Sequence, residues 1–253
     1  MADGPHRNQT VFDHWNDERV ESMYDKHLLG LEIASIKQRI PDGSRILDAG
    51  CGEGEGTVVY SDIPDVRMEG ADFSPTRLQK AAERIGRRQN VSLKLMDFLE
   101  PCTLDADYDV IVSQRFLIHL ADWRQQSEVI LLLASLLRPG GRLIVLEGSQ
   151  QGTNGLNQWR AAWNLSPIPI KWHNRFLDDA ALVALMHDNG CRLEDLTGFG
   201  SYFLLTRGIR PVLSDNLSAD SDFNRVAASC PVAELLGFRE EFSRLKLWVF
   251  GKR

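Results

Sequence analysis

One glycine-rich turn constrains the fold of this chain more than any other feature of its sequence. The apolar run 45–48 is followed by glycines at every second position from 50 to 56, and a helical pattern follows them. Because glycine has no Cβ, its backbone turns sharply and can approach a bound ligand closely. The sequence therefore predicts a strand, a ligand-binding turn and a helix in direct succession.

Four further apolar runs have the length and composition of short buried strands. They are residues 67–73, 91–98, 108–113 and 142–147. Helical patterns separate them: Ser74-Pro75 places a proline in the first turn of one helix, and Pro139-Gly140-Gly141 ends another. This alternation predicts a parallel sheet with helices packed against it.

The segments on either side of this core are predicted to belong to the same domain. Residues 1–44 hold one or two leading helices, and residues 45–149 form the ligand-binding core. Residues 150–176 are rich in glycine and asparagine and contain Ser166-Pro167-Ile168-Pro169, so we expect a long loop or lid there.

The C-terminal part, residues 177–253, is predicted to complete the sheet. Its pattern gives a helix at 177–189, strands at 192–204 and 244–251, and an insertion at 209–243. With the five runs above, the chain has seven strands. We therefore expect an α/β fold with a mostly parallel sheet and helices on both faces.

Charge and cysteine content exclude several classes of protein. The formal net charge of -6 disfavours a nucleic-acid partner, which would need a basic face. No apolar run approaches the roughly 18 residues of a membrane span, and the polar N-terminus lacks a secretory pattern, so we expect a cytoplasmic location. Cys51, Cys102, Cys191 and Cys230 are widely scattered, which predicts reduced thiols and neither a disulfide framework nor a metal site.

The charge of the glycine turn indicates which ligand it binds. The spacing G-x-G-x-x-G of dinucleotide sites fails in every register, because Glu55, Thr57 and Val59 stand where the third glycine would be. Asp48, Glu53 and Glu55 also surround the turn with negative charge, which disfavours a pyrophosphate. A phosphate-free ligand with positive charges is favoured, and S-adenosylmethionine, with its ammonium and sulfonium groups, is such a ligand.

Later strand ends carry residues that suit the rest of this ligand. Asp72 lies 18 residues beyond Gly54 (72 minus 54), close to the spacing of roughly 20 residues expected for a carboxylate that binds ribose hydroxyls. Phe73 is expected beside the adenine, Asp97 at its exocyclic amine, and Phe98 as a second apolar wall. The carboxyl ends of parallel strands share one edge of the sheet, so these side chains are predicted to converge.

The motifs of the middle half of the chain resemble those of class I S-adenosylmethionine-dependent methyltransferases. They are Leu47-Asp48-Ala49-Gly50-Cys51-Gly52, Gly70-Ala71-Asp72-Phe73-Ser74, Met96-Asp97-Phe98, Tyr108-Asp109-Val110-Ile111-Val112-Ser113 and Leu137-Arg138-Pro139-Gly140-Gly141. The resemblance implies a Rossmann-like fold. It also implies that Gly50, Cys51 and Gly52 approach the methionine moiety, that Asp48 supports its ammonium, and that Ser113 lines the methyl-donor site.

The sequence gives less information about the methyl acceptor than about the cofactor. After the fourth strand, Ser113-Gln114-Arg115-Phe116 replaces the Asn/Asp-Pro-Pro-aromatic motif that the resemblance would imply for planar amide or base nitrogens. Methyl transfer depends mainly on holding the acceptor in line with the methyl carbon, and a hydroxyl acceptor also needs a general base in reach.

Several residues near the predicted sheet edge and lid are candidates for these tasks. We expect His173 and Glu147 as catalytic bases, substrate contacts from Arg115, His119, Trp172, Asn174 and Tyr202, and a covering role for Tyr24. Structural alternatives remain open. Trp172 would anchor the lid, His173 and Asn174 would cap the next helix, Glu147 would pair with Arg115, and His119 and Tyr24 would only pack.

These patterns favour one function and leave others open. The leading hypothesis is methyl transfer to a hydroxyl of a small metabolite or carbohydrate-type intermediate. An amine or carboxylate acceptor and a protein or RNA substrate are the alternatives, and a non-catalytic cofactor-binding partner is least favoured because the glycine turn is intact. The chain also resembles a subgroup from bacterial surface-polysaccharide or natural-product pathways. Whether it forms a homodimer through its leading helices stays open.

Overall fold

The computed structural model describes residues 4–17, 19–20, 23–229 and 240–253. Its seven strands are β1 Arg45–Ala49, β2 Arg67–Asp72, β3 Val91–Leu95, β4 Tyr108–Gln114, β5 Leu137–Gly148, β6 Cys191–Gly198 and β7 Leu245–Lys252. They form one sheet in the order β3-β2-β1-β4-β5-β7-β6. The first five strands are parallel, and β7 runs antiparallel to both β5 and β6. The predicted seven-stranded, mostly parallel sheet is confirmed.

Helices surround this sheet. They are α1 Gly4–Asn16, α2 Lys26–Lys37, α3 Glu55–Tyr60, α4 Pro75–Ile85, α5 Trp123–Leu136, α6 Gln150–Ala162, α7 Asp179–Asp188, α8 Gly200–Phe203, α9 Arg210–Leu213 and α10 Asp222–Ala228. A π-helical turn, Leu204–Ile209, joins α8 to α9. No helix in the described residues is both long and apolar enough to cross a membrane.

The sheet buries both of its faces, as the alternating side chains of β4 show. Val110 and Val112 pack in one cluster with Ile36 of α2, whereas Ile111 belongs to a second cluster with Ile130 of α5. Successive side chains of a strand point to opposite faces, so the uninterrupted apolar run of β4 requires helices on both sides.

The strand order opens a crevice at the carboxyl ends of β1 and β4. From β1 the chain continues to β2 on one side, while β4 lies on the other side of β1 and leads on to β5. The loops that follow β1 and β4 therefore leave in opposite directions, and in open α/β sheets ligands bind at this point.

The prediction of a long loop at residues 150–176 is wrong in its first half. Ser149 caps α6, and its hydroxyl accepts the backbone N–H of Gly152 at 2.9 Å. Only the segment 163–178, between α6 and α7, is irregular. The glycines of α6 disfavour a helix by propensity, but they let another part of the chain pack closely against it: a Cβ on Gly152 would lie 1.8 Å from the carbonyl oxygen of Ser243.

The predictions for the C-terminal part need two further corrections. The strand predicted at 192–204 ends at Gly198, and the chain continues as the helix α8. Within the predicted insertion 209–243, α9 and α10 are helical, whereas residues 230–239, which include Cys230, lie outside the described residues.

Candidate active site

A cavity of about 480 Å³ lies at the carboxyl edge of the sheet, where the strand order opens the crevice. Most of the residues predicted from the sequence line it. These are Tyr24, Asp48, Gly50, Cys51, Gly52, Asp72, Phe73, Asp97, Phe98, Arg115, His119, His173 and Asn174. Four predicted residues, Ser113, Glu147, Trp172 and Tyr202, are not part of the lining.

The glycine turn after β1 has the left-handed backbone that its sequence predicts. Gly50 has φ +71° and Gly52 has φ +53°, a region that disfavours any residue with a Cβ. A Cβ on Gly50 would also lie 2.5 Å from the side chain of Phe116, whereas one on Gly52 would point into open space. The turn is therefore a cradle that leaves the main chain of Gly52 accessible from the cavity.

Asp48, at the end of β1, is a buried carboxyl group beside this cradle. Its Oδ2 accepts a hydrogen bond from the Thr57 hydroxyl at 2.5 Å. Burial raises the pKa of Asp48 to about 6, the Thr57 hydrogen bond opposes that rise, and the neighbouring Asp72 adds to it. A positively charged ligand in the cavity would favour the ionised form of Asp48.

Asp72, at the end of β2, ties the cradle to the next helix. One carboxylate oxygen accepts the backbone N–H of Gly52 and the other accepts that of Ser74, each at 2.9 Å. Burial raises the pKa of Asp72 despite these hydrogen bonds, which favour the ionised form. Each oxygen keeps a further lone pair, so the carboxylate can also accept hydrogen bonds from a ligand.

The helix α1 covers the cavity through aromatic contacts. Phe12 packs on Phe73 with ring centroids 5.2 Å apart, and His14 stacks on His173 at 4.8 Å. Trp15 contacts His119 at 4.6 Å. One helix therefore contacts both the strand ends and the segment 163–178.

Comparisons with known proteins agree with this geometry. Residues 46–141 match the family model of a methyltransferase domain. A 27-O-demethylrifamycin SV methyltransferase of Amycolatopsis mediterranei is 34% identical over 105 residues, which cover 40% of this chain and 37% of that protein. An O-methyltransferase of Penicillium expansum is 30% identical over 108 residues, covering 42% of this chain and 38% of that protein. The matches thus span less than half the length of these relatives.

A solved structure extends the likeness to the whole chain. Magnesium protoporphyrin IX methyltransferase from Synechocystis, solved with bound S-adenosylhomocysteine, has a TM-score of 0.61 at 17% identity, over 98% of this chain and 97% of that one. At this identity the likeness shows the fold. The family model covers the glycine cradle and the carboxylates of the first three strand ends. Residues 46–141 therefore match a methyltransferase domain, and the chain as a whole has the methyltransferase fold.

S-adenosylmethionine is the cofactor that methyltransferase domains of the matched family use, and the lining of the cavity fits it. The open space over Gly52 accommodates a ligand at the main chain, and Asp48 offers a carboxyl group beside it. Phe73 and Phe98 supply apolar walls near the carboxylate of Asp97.

Glu53 does not have the role in the turn that the sequence predicted for it. It does not leave the turn crowded with negative charge, because it is paired with Arg77 and with Lys80, whose Nζ lies 3.2 Å away. Burial raises the pKa of Glu53, but its hydrogen bonds and these cations outweigh that effect and hold the pKa below its ordinary value. Asp48 and Asp72 rather than Glu53 therefore carry the charge that faces the cradle.

Glu147 does not line the cavity, so its position does not support the catalytic role predicted from the sequence. It is fully buried, and its Oε1 accepts the Ser113 hydroxyl at 3.0 Å and the backbone N–H groups of Phe116 and Leu117 at 2.9 and 2.8 Å. Burial raises its pKa to about 7. Glu147 holds the loop after β4, and Ser113, also fully buried, supports it instead of lining the methyl-donor site.

The structural alternative in which Glu147 pairs with Arg115 is not observed either. Arg115 instead donates to both oxygens of Glu32 on α2, at 2.9 and 2.5 Å. Glu32 is fully buried, so this pair fixes α2 against the loop after β4. Arg115 is nevertheless one of the residues that line the cavity.

Tyr202 and Trp172 do not line the cavity, although the sequence predicted substrate contacts from both. Tyr202 is buried, and its hydroxyl donates to Asp25 at 2.8 Å. Trp172 is 57% exposed at the surface, where it contacts His14 and His173. The residues that take the expected place of Tyr202 are its neighbours Phe203 and Arg207, which do line the cavity.

Sequence reasoning missed the cavity residues that α1 and β7 supply. His14 and Trp15 belong to a helix with no motif, and only its helical spacing indicated that it packs on the domain. Burial, together with the charge of Arg77, lowers the pKa of His14, so the ring is neutral near pH 7. Arg244 precedes β7 and was noted only as the start of a strand.

Proposed function

We propose that this protein transfers the methyl group of S-adenosylmethionine to a hydroxyl group of a small polar acceptor. The observation that carries the proposal is a single cavity that extends from the strand-end carboxylates to residues 168–176 and Arg207. A concave pocket of this size suits a small molecule, since ligand sites typically measure some 300–1,000 Å³. A protein or RNA acceptor would need an open groove.

The cofactor is proposed to bind along the ends of β1, β2 and β3. Asp48 would pair with its ammonium, Asp72 with its ribose hydroxyls and Asp97 with the adenine amine, whose ring would lie against Phe73 and Phe98. Tyr24, which is half exposed at the cavity mouth, would cover the methionine end.

The bound cofactor supplies an activated methyl group on a sulfonium. The chain's own task is to hold the acceptor oxygen in line with that carbon and to take the proton as the O–C bond forms and the C–S bond breaks. We assign the proton to His173, which lines the cavity and is 8% exposed. Asn174 is assigned to orient the acceptor, because its Oδ1 is buried and has no hydrogen-bond partner in the described part of the chain.

Calorimetry tests the cofactor part of the proposal. S-adenosylhomocysteine should bind, and NADH should not. Asp72→Ala should weaken S-adenosylhomocysteine binding at least about tenfold, since it removes a charged acceptor of hydrogen bonds. Binding of NADH in place of S-adenosylhomocysteine would refute the proposed activity.

Turnover measurements test the base. Formation of S-adenosylhomocysteine from S-adenosylmethionine is followed across a panel of hydroxylated aromatic and sugar compounds. His173→Ala should lower kcat by about a hundredfold or more, the usual contribution of a general base, with cofactor affinity preserved. His187→Ala is the matched control, because His187 is exposed at the end of α7 and outside the cavity. If His173→Ala keeps the kcat of the wild type, His173 is not the base and only packs at the cavity wall.

A further inference from the structure

The two ends of the cavity carry opposite charge. The strand ends of β1 to β3 supply Asp48, Asp72 and Asp97, as described above. At the other end, which the loop after β4, the segment 163–178, the π-helical turn and the residue before β7 supply, the lining includes four cations. These are Arg115, Lys171, Arg207 and Arg244.

Two of these four cations are already neutralised within the protein. Arg115 pairs with Glu32 at 2.5 Å, and Arg207 pairs with Asp25 at 2.6 Å. Both carboxylates are buried, and Asp25 also accepts the hydroxyl of Tyr202. These pairs therefore hold the cavity wall in place and leave no net charge there.

Lys171 and Arg244 have no such carboxylate. Among the described residues, no acidic side chain lies within salt-bridge distance of either one. Lys171 lies over the ring of Tyr24, with its Nζ 5.0 Å from the ring centroid. Arg244 lies over Phe176 and donates to the backbone carbonyls of Ile168 and Pro169, at 3.3 and 3.2 Å. Aromatic rings and carbonyl groups orient a cation without neutralising it.

This surplus positive charge is costly in the protein without an acceptor. Burial, followed by the charge of nearby Arg207, lowers the pKa of Arg244 to about 10. A partly buried cation such as Arg244 without a counter-charge disfavours the folded state, and an anion bound beside it and the exposed Lys171 reduces that cost. The same end of the cavity has apolar walls, from Ile168, Phe176 and Phe203.

We propose that the methyl acceptor carries a carboxylate or phosphate group, which binds between Lys171 and Arg244, and an apolar body that packs against Phe176 and Phe203. The inference rests on the proposed function for its meaning as a substrate class, but the anion site can be tested without turnover. An arginine and a lysine that bind the same anionic group would fix one end of the acceptor, so that its hydroxyl end points toward His173 and the methyl group.

The experiment uses three small probes of similar shape on the full chain saturated with S-adenosylhomocysteine. Benzoate and phenyl phosphate are anionic, and benzamide is their neutral counterpart. In calorimetric titrations, at least one anion should bind about tenfold or more tightly than benzamide, and the better of the two identifies carboxylate or phosphate as the preferred group.

Single substitutions then locate the site. Arg244→Met and Lys171→Met should each weaken binding of that anion about ten- to hundredfold and leave binding of S-adenosylhomocysteine unchanged. Arg124→Met is the matched control, because Arg124 is an exposed arginine of α5 that pairs only with Glu128. Lys171 is exposed, so its variant keeps the fold even if Arg244→Met does not.

Two results would overturn the inference. One is binding of benzamide as tight as that of both anions, including the case in which none of the probes binds. The other is anion binding that neither Lys171→Met nor Arg244→Met weakens. If S-adenosylhomocysteine does not bind, the proposed function is rejected. The anion titrations are then carried out on the protein without S-adenosylhomocysteine, and they still test the anion site.

Discussion

Three buried carboxyl groups at strand ends differ in what the sequence reveals about them. Asp48 and Asp72 were predictable as cavity residues, because their positions relative to the glycine turn follow from the βα pattern. Glu147 has the same placement at the end of β5 but turns toward the loop 115–118. That loop depends on Arg115, which adopts φ +53° although it has a Cβ, and no local pattern predicts such a turn.

Asp48 gives the clearest prediction for a single titrating group. Its pKa of about 6 in the free protein should fall when the cofactor's ammonium binds, so binding releases a proton below pH 6. The affinity for S-adenosylhomocysteine should therefore rise about tenfold between pH 5 and pH 7 and change little above pH 7. Calorimetric titrations across this range measure the change.

The control for this pH effect is Asp48→Asn, which has no charge to titrate. Its affinity should be lower at pH 7 and nearly independent of pH between 5 and 7. Asp72, whose pKa is also raised, would produce a remaining slope of the same sign. A slope in Asp48→Asn as steep as in the wild type would assign the titration to another group.

At the scale of elements, α6 shows why local propensity misled the prediction of a loop. A helix with Gly152 and Gly155 is weak in isolation. Both glycines, however, face the backbone of the segment 240–243, where a Cβ would lie 1.8 Å from the Ser243 oxygen or 2.2 Å from the Glu241 oxygen. This contact is tertiary and spans about 90 residues of sequence, so a local reading cannot detect it.

Two glycine substitutions distinguish the close packing of α6 from the low helix propensity of glycine. Gly152→Ala should lower the free energy of unfolding by about 2 kcal/mol or more, because overpacking against backbone outweighs the gain in helix propensity of roughly 1 kcal/mol. Gly30→Ala in α2 is the control: a Cβ there meets nothing within 4 Å, so the variant should gain about 0.5–1 kcal/mol. Chemical denaturation measures both. A stabilised Gly152→Ala would mean that α6 and residues 240–243 are not in close contact.

One side chain of α4, Arg77, holds the C-terminal end of the cover helix α1 and the residues after it. Arg77 is buried, and it donates to the backbone carbonyls of Trp15 at 3.0 Å and Val20 at 2.7 Å. Arg77 also pairs with Glu53 of the glycine turn. The cover and the cradle are thus attached to the same guanidinium.

Arg77→Met should loosen this cover. Hydrogen exchange in α1 should become faster, and S-adenosylhomocysteine should dissociate about tenfold faster, since two charge-assisted hydrogen bonds are lost. Stopped-flow displacement measures the dissociation rate. Lys80→Met is the control, because Lys80 pairs with Glu53 but does not hold α1. Equal dissociation rates in both variants would show that α1 does not retain the ligand.

For the whole molecule, the order of apolar runs and turns was enough to predict the sheet, its parallel part and the edge that carries the site. The extent of the acceptor end was not predictable, because it is assembled from α2, the segment 163–178, the π-helical turn and the start of β7, which are distant in sequence. The net charge of the whole chain is -6, so the cations without a carboxylate partner at this end of the cavity contrast with the rest of the protein.

Asp25 has a consequence for engineering the acceptor range of this protein. Its carboxylate caps α2 through the N–H of Leu28 and also holds Tyr202 and Arg207, so one side chain serves both a helix start and the cavity wall. Substitutions at position 25 would alter stability and acceptor fit together. A library aimed at new acceptors is therefore better placed at Lys171 and Phe176, where side chains face the cavity and a change in fit does not remove a helix cap.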